Sequence, residues 1–525
     1  MKLKPAFLPI ICLIISFFTI ILAAWVSLTG TVPSGPDTAG TKSHNDIPRT
    51  TLNYTEEQIA ELDYFDLFFP ADENENLPSD VYSISYGDGI IYMFLPESEN
   101  KIYTYYVRNR EEQLLSRITS DFNETVTLCG YEIVLYEPAL RTMYLTTESE
   151  ALFDSMINEK EHNTLIAVTC DFENIHTKAR LQGRGNTSWT DAEKKSFSLR
   201  FDRRMPLFDD ATHKNFNLLA NAFDRTLLKN LMFNKLAEEV NIPYQPEEEL
   251  IILFIDGRYH GIYTLTTKMS VDSRRIALEP GDMLFQFDPA VGEASQDDGE
   301  ELIPYSSKYW NGDPFINQGA YFELLYPENP NEAAKLLAGE RVQAMINAIE
   351  DSDSDDYLNY IDLNNLASFY LVQEISMNYD AHHRSIYAFY RNGRIYYGPV
   401  WDMDLTLGKE FEKYGMEWTS PEGFYVNQAG IYKALWEHPD FIARVKELYE
   451  EEIREKSYAI LDYARKEEER IAEDAEFNFR EYPQEYKAGI MDYSGDTYNY
   501  IDFTDNMLAF YEARLKWLDQ VFSEL

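Results

Sequence analysis

Cysteine is scarce in this 525-residue chain: Cys12, Cys129 and Cys170 are the whole supply. Cys12 lies inside an apolar run, so at most one disulfide is available. That excludes a disulfide-stapled secreted scaffold and a cysteine-based zinc cluster. Basic residues are also few, 46 Lys and Arg against 90 Asp and Glu, for a net charge of −44. A surface this acidic repels nucleic acid at long range, which removes nucleic-acid binding from the function classes. The same field repels nucleoside phosphates, so a nucleotide site would need its own local cations and metal ions. No P-loop sequence and no long internal repeat occurs.

Apolar and aromatic residues, by contrast, are plentiful. Hydrophobic residues make up 45%, with 38 Tyr and 31 Phe, enough to fill the cores of two or three domains. After a short tip, residues 1–4, the run 5–28 carries no charge and is long enough to cross a bilayer. Lys2 and Lys4 place the N-terminus inside and the remainder outside. A signal peptide would show a shorter apolar core and a small-residue cleavage site, whereas Ala23-Ala24 is followed by bulky Trp25. The expectation is a membrane anchor, with secretion as the outcome if the segment is cleaved.

Residues 29–54, rich in Gly, Pro, Ser and Thr, read as a flexible stalk. Within 55–139, Thr55 caps a short helix, and runs such as VYSISYG, KIYTYYV and EIVLYEP predict a small β-rich accessory module. Strand and helix patterns mix over 140–433. The tail, 434–525, reads as helix, with apolar stripes at Phe441, Val445, Leu448 and at Leu508, Tyr511, Leu515, Leu518, Phe522. The nearly all-charged stretch 465–474 predicts a solvated helical face.

Three segments carry residues suited to chemistry. In 180–202 two strands flank Gly183, Gly185 and Asn186, where glycine lets backbone N–H groups approach a phosphate. Alternation along the second strand puts Lys195 on one face with Phe197, Leu199 and Phe201, and Lys194 on the other. A lysine on an apolar face is costly unless it meets an anion or snorkels out. The stretch 218–244 reads as scaffold, with Asp224 capping a helix that turns Leu227, Leu228, Leu231 and Leu236 inward. Asp256-Gly257 predicts a hairpin. In 374–408 a helix from 363 to about 377 leads to Asn378-Tyr379-Asp380. A hairpin turning at Asn392-Gly393 then returns the chain to Asp402 and Asp404. Three converging carboxylates repel one another unless cations intervene, and oxygen ligands of this kind suit Mg²⁺ or Mn²⁺. The residues alone leave open phosphoryl transfer, hydrolysis, or turn acids that face solvent. His382 and His383 read as local polar contacts.

In this order the motifs resemble the CotH family of spore-coat kinases and related secreted bacterial proteins. They are Arg184-Gly185-Asn186-Thr187-Ser188-Trp189, Lys194-Lys195, Leu218 to Asn221, Asp256-Gly257-Arg258-Tyr259, Asn378-Tyr379-Asp380 and Trp401-Asp402-Met403-Asp404-Leu405. The resemblance covers roughly 140–525. It implies an α+β, atypical protein-kinase-like domain that uses ATP and a divalent metal to phosphorylate serine on a protein substrate. It further implies that Lys195 holds nucleotide phosphates and that Asp380 orients or deprotonates the substrate hydroxyl. Asp402, with Asp404 beside it, would bind metal, and Arg184, Gly185 and Asn186 would lie over the nucleotide. Three positions depart from the pattern. Ser385 replaces the asparagine that would hold a second metal, and Thr267 replaces a common glutamate. An acid often found near Gln286 is also missing, though Asp288 follows. These departures imply reduced activity, or a surface binding or coat protein that kept the fold without the chemistry.

Overall fold

Period-two alternation of apolar and polar residues builds most of the chain between Asp66 and Thr267. The computed structural model describes residues 50–525 except 72, 74–76, 96–100, 159–163, 186, 209–211, 288–301, 310–319, 383–384, 409, 412–415, 418–419, 429, 484–489 and 492–498. The expected anchor 5–28 and most of the expected stalk lie outside the described residues. No described helix is long and apolar enough to cross a membrane.

The opening helix, Glu56–Ala60, starts as its sequence predicts: Thr55 accepts the Gln58 N–H while the Gln58 side chain accepts the Thr55 N–H at 2.8 Å. Two four-stranded sheets follow. One runs Val81–Tyr82, Asp66–Phe69, Ile102–Arg108, Leu114–Asp121; the other runs Ile84–Ser85, Ile90–Phe94, Tyr131–Tyr136, Val126–Leu128. They share a hydrophobic core with the rest of the chain, for example where the Phe94 ring meets Phe254 at 5.5 Å and Phe477 at 5.1 Å. Cys129 and Cys170 are both free thiols.

Next comes a closed barrel of seven strands: β1 Arg141–Thr147, β2 Leu165–Phe172, β3 Ile175–Arg184, β4 Ser196–Met205, β5 His213–Leu219, β6 Glu248–Ile255 and β7 Arg258–Thr267. The order around it is β2-β3-β4-β5-β7-β6-β1, antiparallel except where β6 meets β1. Alternate side chains, among them Val168, Leu181, Leu199, Phe216, Leu253 and Leu265, fill the interior. On β6 and β7 the outward set is also apolar (Leu250, Ile252, Phe254, Ile262) and joins the main core. On β3 to β5 the outward set is polar or charged except for Leu219 at the end of β5. The β6–β7 turn puts Asp256 and Gly257 at φ 49° and 77°, the paired positive values that an Asp-Gly hairpin turn requires.

Between β3 and β4 lies the short helix α1, Thr187–Asp191; between β5 and β6 lies α2, Lys229–Glu239. Asp224 binds the N–H of Lys229 at 2.9 Å, so it caps the helix from five residues upstream. A second sheet has the order β9-β10-β8-β11-β12, with β8 Met283–Phe287, β9 Ile303–Tyr305, β10 Ala320–Tyr326, β11 Ile386–Arg391 and β12 Arg394–Tyr397. Helix α3, Leu363–Ser376, is buried from Leu366 to its end. Two long helices close the chain: α4, Arg454–Glu481, and α5, Tyr500–Glu524. The architecture is thus mixed α and β with a helical C-terminal region.

The charged stretch 465–474 departs from its expected solvated face. It is helical, but Glu468 and Asp474 are buried. A continuous charge run on a helix must place some members on the inner stripe, here beside Ile471 and Ala475. Asp474 accepts hydrogen bonds from the Tyr136 hydroxyl at 2.5 Å and from the N–H groups of Ala139 and Leu140 at 3.0 and 2.9 Å.

Candidate functional site

Helix α3 begins at Asp362, which accepts the Asn365 N–H at 2.9 Å, and ends at Met377 in the left-handed region, φ 50°. That reversal delivers Asn378 into a tight polar turn. Its amide donates to Gln373 Oε1 at 2.7 Å, and its Oδ1 accepts the Asp380 N–H at 3.0 Å. Asp380 is thereby held in a short 3₁₀ turn, Tyr379–His382, and is 7% exposed. The hairpin β11–β12 turns at Asn392 and Gly393, φ 53° and 87°, and brings the chain back. Leu407 N–H donates to Ser376 O at 2.8 Å, Asn378 meets the Met403 sulfur at 3.5 Å, and Ser385 Oγ donates to Asp402 Oδ2 at 3.1 Å. The turn of Asp380 and the turn of Asp402 therefore lie against each other.

Helix α2 fixes the second turn. Lys229, fully buried, donates to Thr406 O at 2.9 Å, and Asn230 accepts the Met403 N–H at 2.8 Å. Asp402 itself has left-handed backbone, φ 61°. Burial pushes its carboxyl pKa up, while the Arg184 guanidinium and the Ser385 hydroxyl pull it back. Arg184, at the end of β3, stands 6.0 Å from the Trp401 ring and is the cation that faces Asp402. The three-acid cluster expected from the hairpin does not form: among the described residues no three His, Cys, Asp or Glu side chains group closely enough to hold a metal ion. The hairpin joins Asp402 to a hydroxyl instead, and Asp404 completes no such group. One carboxylate and one hydroxyl still form an all-oxygen donor pair. That suits Mg²⁺ or Mn²⁺, which commonly takes one or two protein ligands and fills its shell with phosphate and water.

The barrel contributes the facing wall. Along β3 the outward residues are Arg180, Gln182 and Arg184, and the register carries them across the strands: Arg184 opposite Ser196, Gln182 opposite Ser198, Ser198 opposite Asn217. Ser198 Oγ donates to Asn217 Oδ1 at 3.2 Å. A basic, polar sheet face thus meets the pair of acidic turns, with Gly185 between β3 and α1. Gly185 has φ 102°, and a Cβ there would lie 2.4 Å from Ser188 Oγ, so the turn closes too tightly for a side chain.

The family model for CotH kinase proteins matches residues 181–518, which contain Arg184, Gly185, Ser385 and both acid-bearing turns. The chain belongs to the CotH kinase family. No curated protein matches it.

Within the CotH region some expected residues stand elsewhere. Lys195 does share the inward parity of Phe197, Leu199 and Phe201, at the barrel rim. Its ammonium donates to the carbonyls of Trp189, at 2.6 Å, and Ala192, so peptide dipoles meet the cost of its partial burial. It braces the α1 loop rather than joining Arg184. Lys194 is buried against Asn478 Oδ1 at 2.8 Å and Ile262 O. Thr267 is fully buried on the inward side of β7, where its Oγ1 accepts the Glu247 N–H at 3.2 Å, so a side chain there points away from the cleft. Gln286 lies opposite Tyr387 in the register. Asn186, Asp288, His383 and Arg384 lie outside the described residues, as does the side chain of His382.

Two CotH-region groups were missed from sequence. Glu248, outward on β6, accepts from Thr266 Oγ1 at 3.0 Å, and burial pushes its pKa up to about 7. Lys268, just past β7, is placed close enough to Arg184 and Arg200 for their charges, after burial, to depress its pKa. The alternation of β3, basic residues outward and apolar or small ones inward, was the signal that could have located this face.

Proposed function

We propose that this CotH-family chain is an ATP- and metal-dependent protein kinase that phosphorylates serine on a protein at or outside the cell surface. The observation that carries the reading is the abutment of the Asp380 turn on the Asp402 turn, joined by the Ser385–Asp402 hydrogen bond, opposite Arg184. The strand and helix order also agrees with a protein-kinase-like arrangement. A hairpin carries a glycine turn, a helix falls between the next two strands, and an acid-bearing loop and a second acid follow.

In this reading Asp380 accepts the proton of the serine hydroxyl as its oxygen bonds to the γ-phosphorus and the bond to the ADP oxygen breaks. A buried carboxylate held by the Asn378 turn needs no reorientation for that task. Asp402 and Ser385 would hold Mg²⁺ or Mn²⁺, which neutralises phosphate charge when bound. Arg184 supplies positive charge, and Gly185 and Asn186 let the backbone approach the phosphates. Lys195 acts as a positioning residue for that loop. The segment 5–28 would anchor the chain, N-terminus inside, or be cleaved to release it.

Radiolabelled γ-phosphate transfer to protein is expected for the wild type and absent for Asp380→Asn, with the fold retained. Undiminished transfer by the variant would overturn the assignment. Label appearing in water instead of protein would identify a hydrolase. A second reading, a CotH-type surface or coat protein with weak or no activity, draws on Ser385, a shorter metal ligand than asparagine. It predicts no thermal shift requiring both nucleotide and metal.

A further inference from the structure

The outward face of β3 to β5 carries more positive charge than one triphosphate end requires. Arg180 is the register partner of Arg200, Arg200 that of Asn215, and Lys268 N–H bonds to Asn215 O at 3.0 Å. Arg180, Arg200 and Lys268 therefore form one row across the strands. With Lys214 they line a cleft of about 740 Å³, closed on the far side by Leu284 and Leu325 of the second sheet.

Cations elsewhere in this chain are mostly paired: Arg108 with Asp66, Arg391 with Asp282, Arg454 with Asp519. The lining acids of the cleft are Asp272 and Glu328, and Asp272 is occupied by Arg204 at 2.8 Å and by the Arg274 N–H at 2.8 Å. Among the described residues no carboxylate lies within salt-bridge distance of Arg180, Arg200, Lys214 or Lys268. Lys268 feels the neighbouring cations directly, since burial and the charges of Arg184 and Arg200 disfavour its protonated form. With 90 acidic residues in the chain, a row that no described carboxylate pairs, set in a concave wall, is a focused positive field inside a negative molecule. Like charges so placed repel one another until an anion enters.

We propose that this row is a second anion site. The sheet face that runs from Arg184 into this cleft then takes a ligand with phosphate at two positions, one at Arg184 and one at Arg180, Arg200 and Lys268. Four residues of extended strand separate Arg184 from Arg180, or about 13 Å. Two ligands present that chemistry: a nucleoside triphosphate with a further phosphate on its ribose, and linear polyphosphate. The Arg184 end rests on the nucleotide reading; the Arg180–Arg200 end stands on its own geometry.

The test is equilibrium binding to the detergent-solubilised full-length chain with Mg²⁺ at low ionic strength. The probes are ATP, ATP carrying an added 3′-phosphate, and linear polyphosphate. At least one doubly anionic probe is expected to bind about tenfold or more tighter than ATP, a preference that salt erodes. Whichever probe wins identifies the source. In Arg180→Gln/Arg200→Gln, two exposed positions, that preference is expected to fall below about threefold. Equal binding of all three probes to the wild type, or a preference that survives in the double variant, overturns the proposal. Asp402→Asn separates the two readings. Undiminished Mg²⁺-dependent ATP binding there would count against the nucleotide reading alone, and polyphosphate binding lost only in the arginine variant would keep the second site.

Discussion

Arg514 and Glu374 form an ion pair at 2.6 Å with both side chains fully buried, and replacing Arg514 by methionine should be among the costliest single changes in the chain. Glu374 lies near the end of α3, four residues before Asn378. Its carboxylate also accepts the N–H groups of Tyr425 and Val426 at 2.6 and 2.8 Å and the Tyr370 hydroxyl at 3.0 Å. Arg514, from α5, donates to the carbonyls of Pro421 and Gly423 at 2.9 and 2.6 Å. Methionine keeps much of the volume but leaves a buried carboxylate without its counter-charge, a loss of about 3–5 kcal/mol. The two abandoned carbonyls add about 1 kcal/mol each, so a total of order 5–7 kcal/mol is expected. That is a large part of a domain stability of roughly 5–15 kcal/mol. Urea unfolding followed by tryptophan fluorescence would measure it, because Trp517 sits 4.8 Å from the guanidinium. Arg514→Met/Glu374→Leu should recover about 2 kcal/mol, since no charge remains buried while the Tyr425 and Val426 N–H groups still lack acceptors. A single-variant loss under about 1 kcal/mol, or a double variant no better than the single, would refute the reasoning.

Glu248→Gln tests the raised pKa. A carboxyl lifted from 4.5 to about 7 by burial destabilises the fold as pH rises between those values. The variant should be near neutral in effect below that window and more stable than wild type by up to about 3 kcal/mol above it, read as urea midpoints across pH. Gly185→Ala forces a side chain into φ 102° and against Ser188 Oγ. It should lower stability by about 1–2 kcal/mol and shrink the nucleotide-dependent thermal shift. Asp474→Ala strips acceptors from Tyr136, Ala139 and Leu140, at about 3 kcal/mol or more. The expected sign is faster proteolysis within the N-terminal β-module than in wild type, and an unchanged cleavage rate would count against that role.

Much of the local structure was legible residue by residue. Thr55 and Gln58 form their capping box, Asp256-Gly257 and Asn392-Gly393 turn with positive φ, and α3 ends within a residue of its expected stop. The stripes at Phe441, Val445 and Leu448 and along α5 are buried. The reversal that sets the Asp380 turn against the Asp402 turn was legible too, because an Asn-Gly hairpin leaves little choice about where the chain returns.

Charge partners were less legible. Lys195 had the right parity, but whether an anion or a carbonyl would meet it depended on α1 folding back over the rim. The 465–474 stretch looked uniformly solvated until α4 packed and turned Asp474 towards Tyr136. The row of Arg180, Arg200 and Lys268 comes from segments up to 88 residues apart, joined only by strand register. Caps, turns, strand parity, helical stripes and family could be read from residue order, since each depends on residues within a turn or two of chain or on motif order. Which charges are neutralised and which converge emerged with the packing of distant elements, because Coulomb interactions act through space between elements whose pairing no local period encodes.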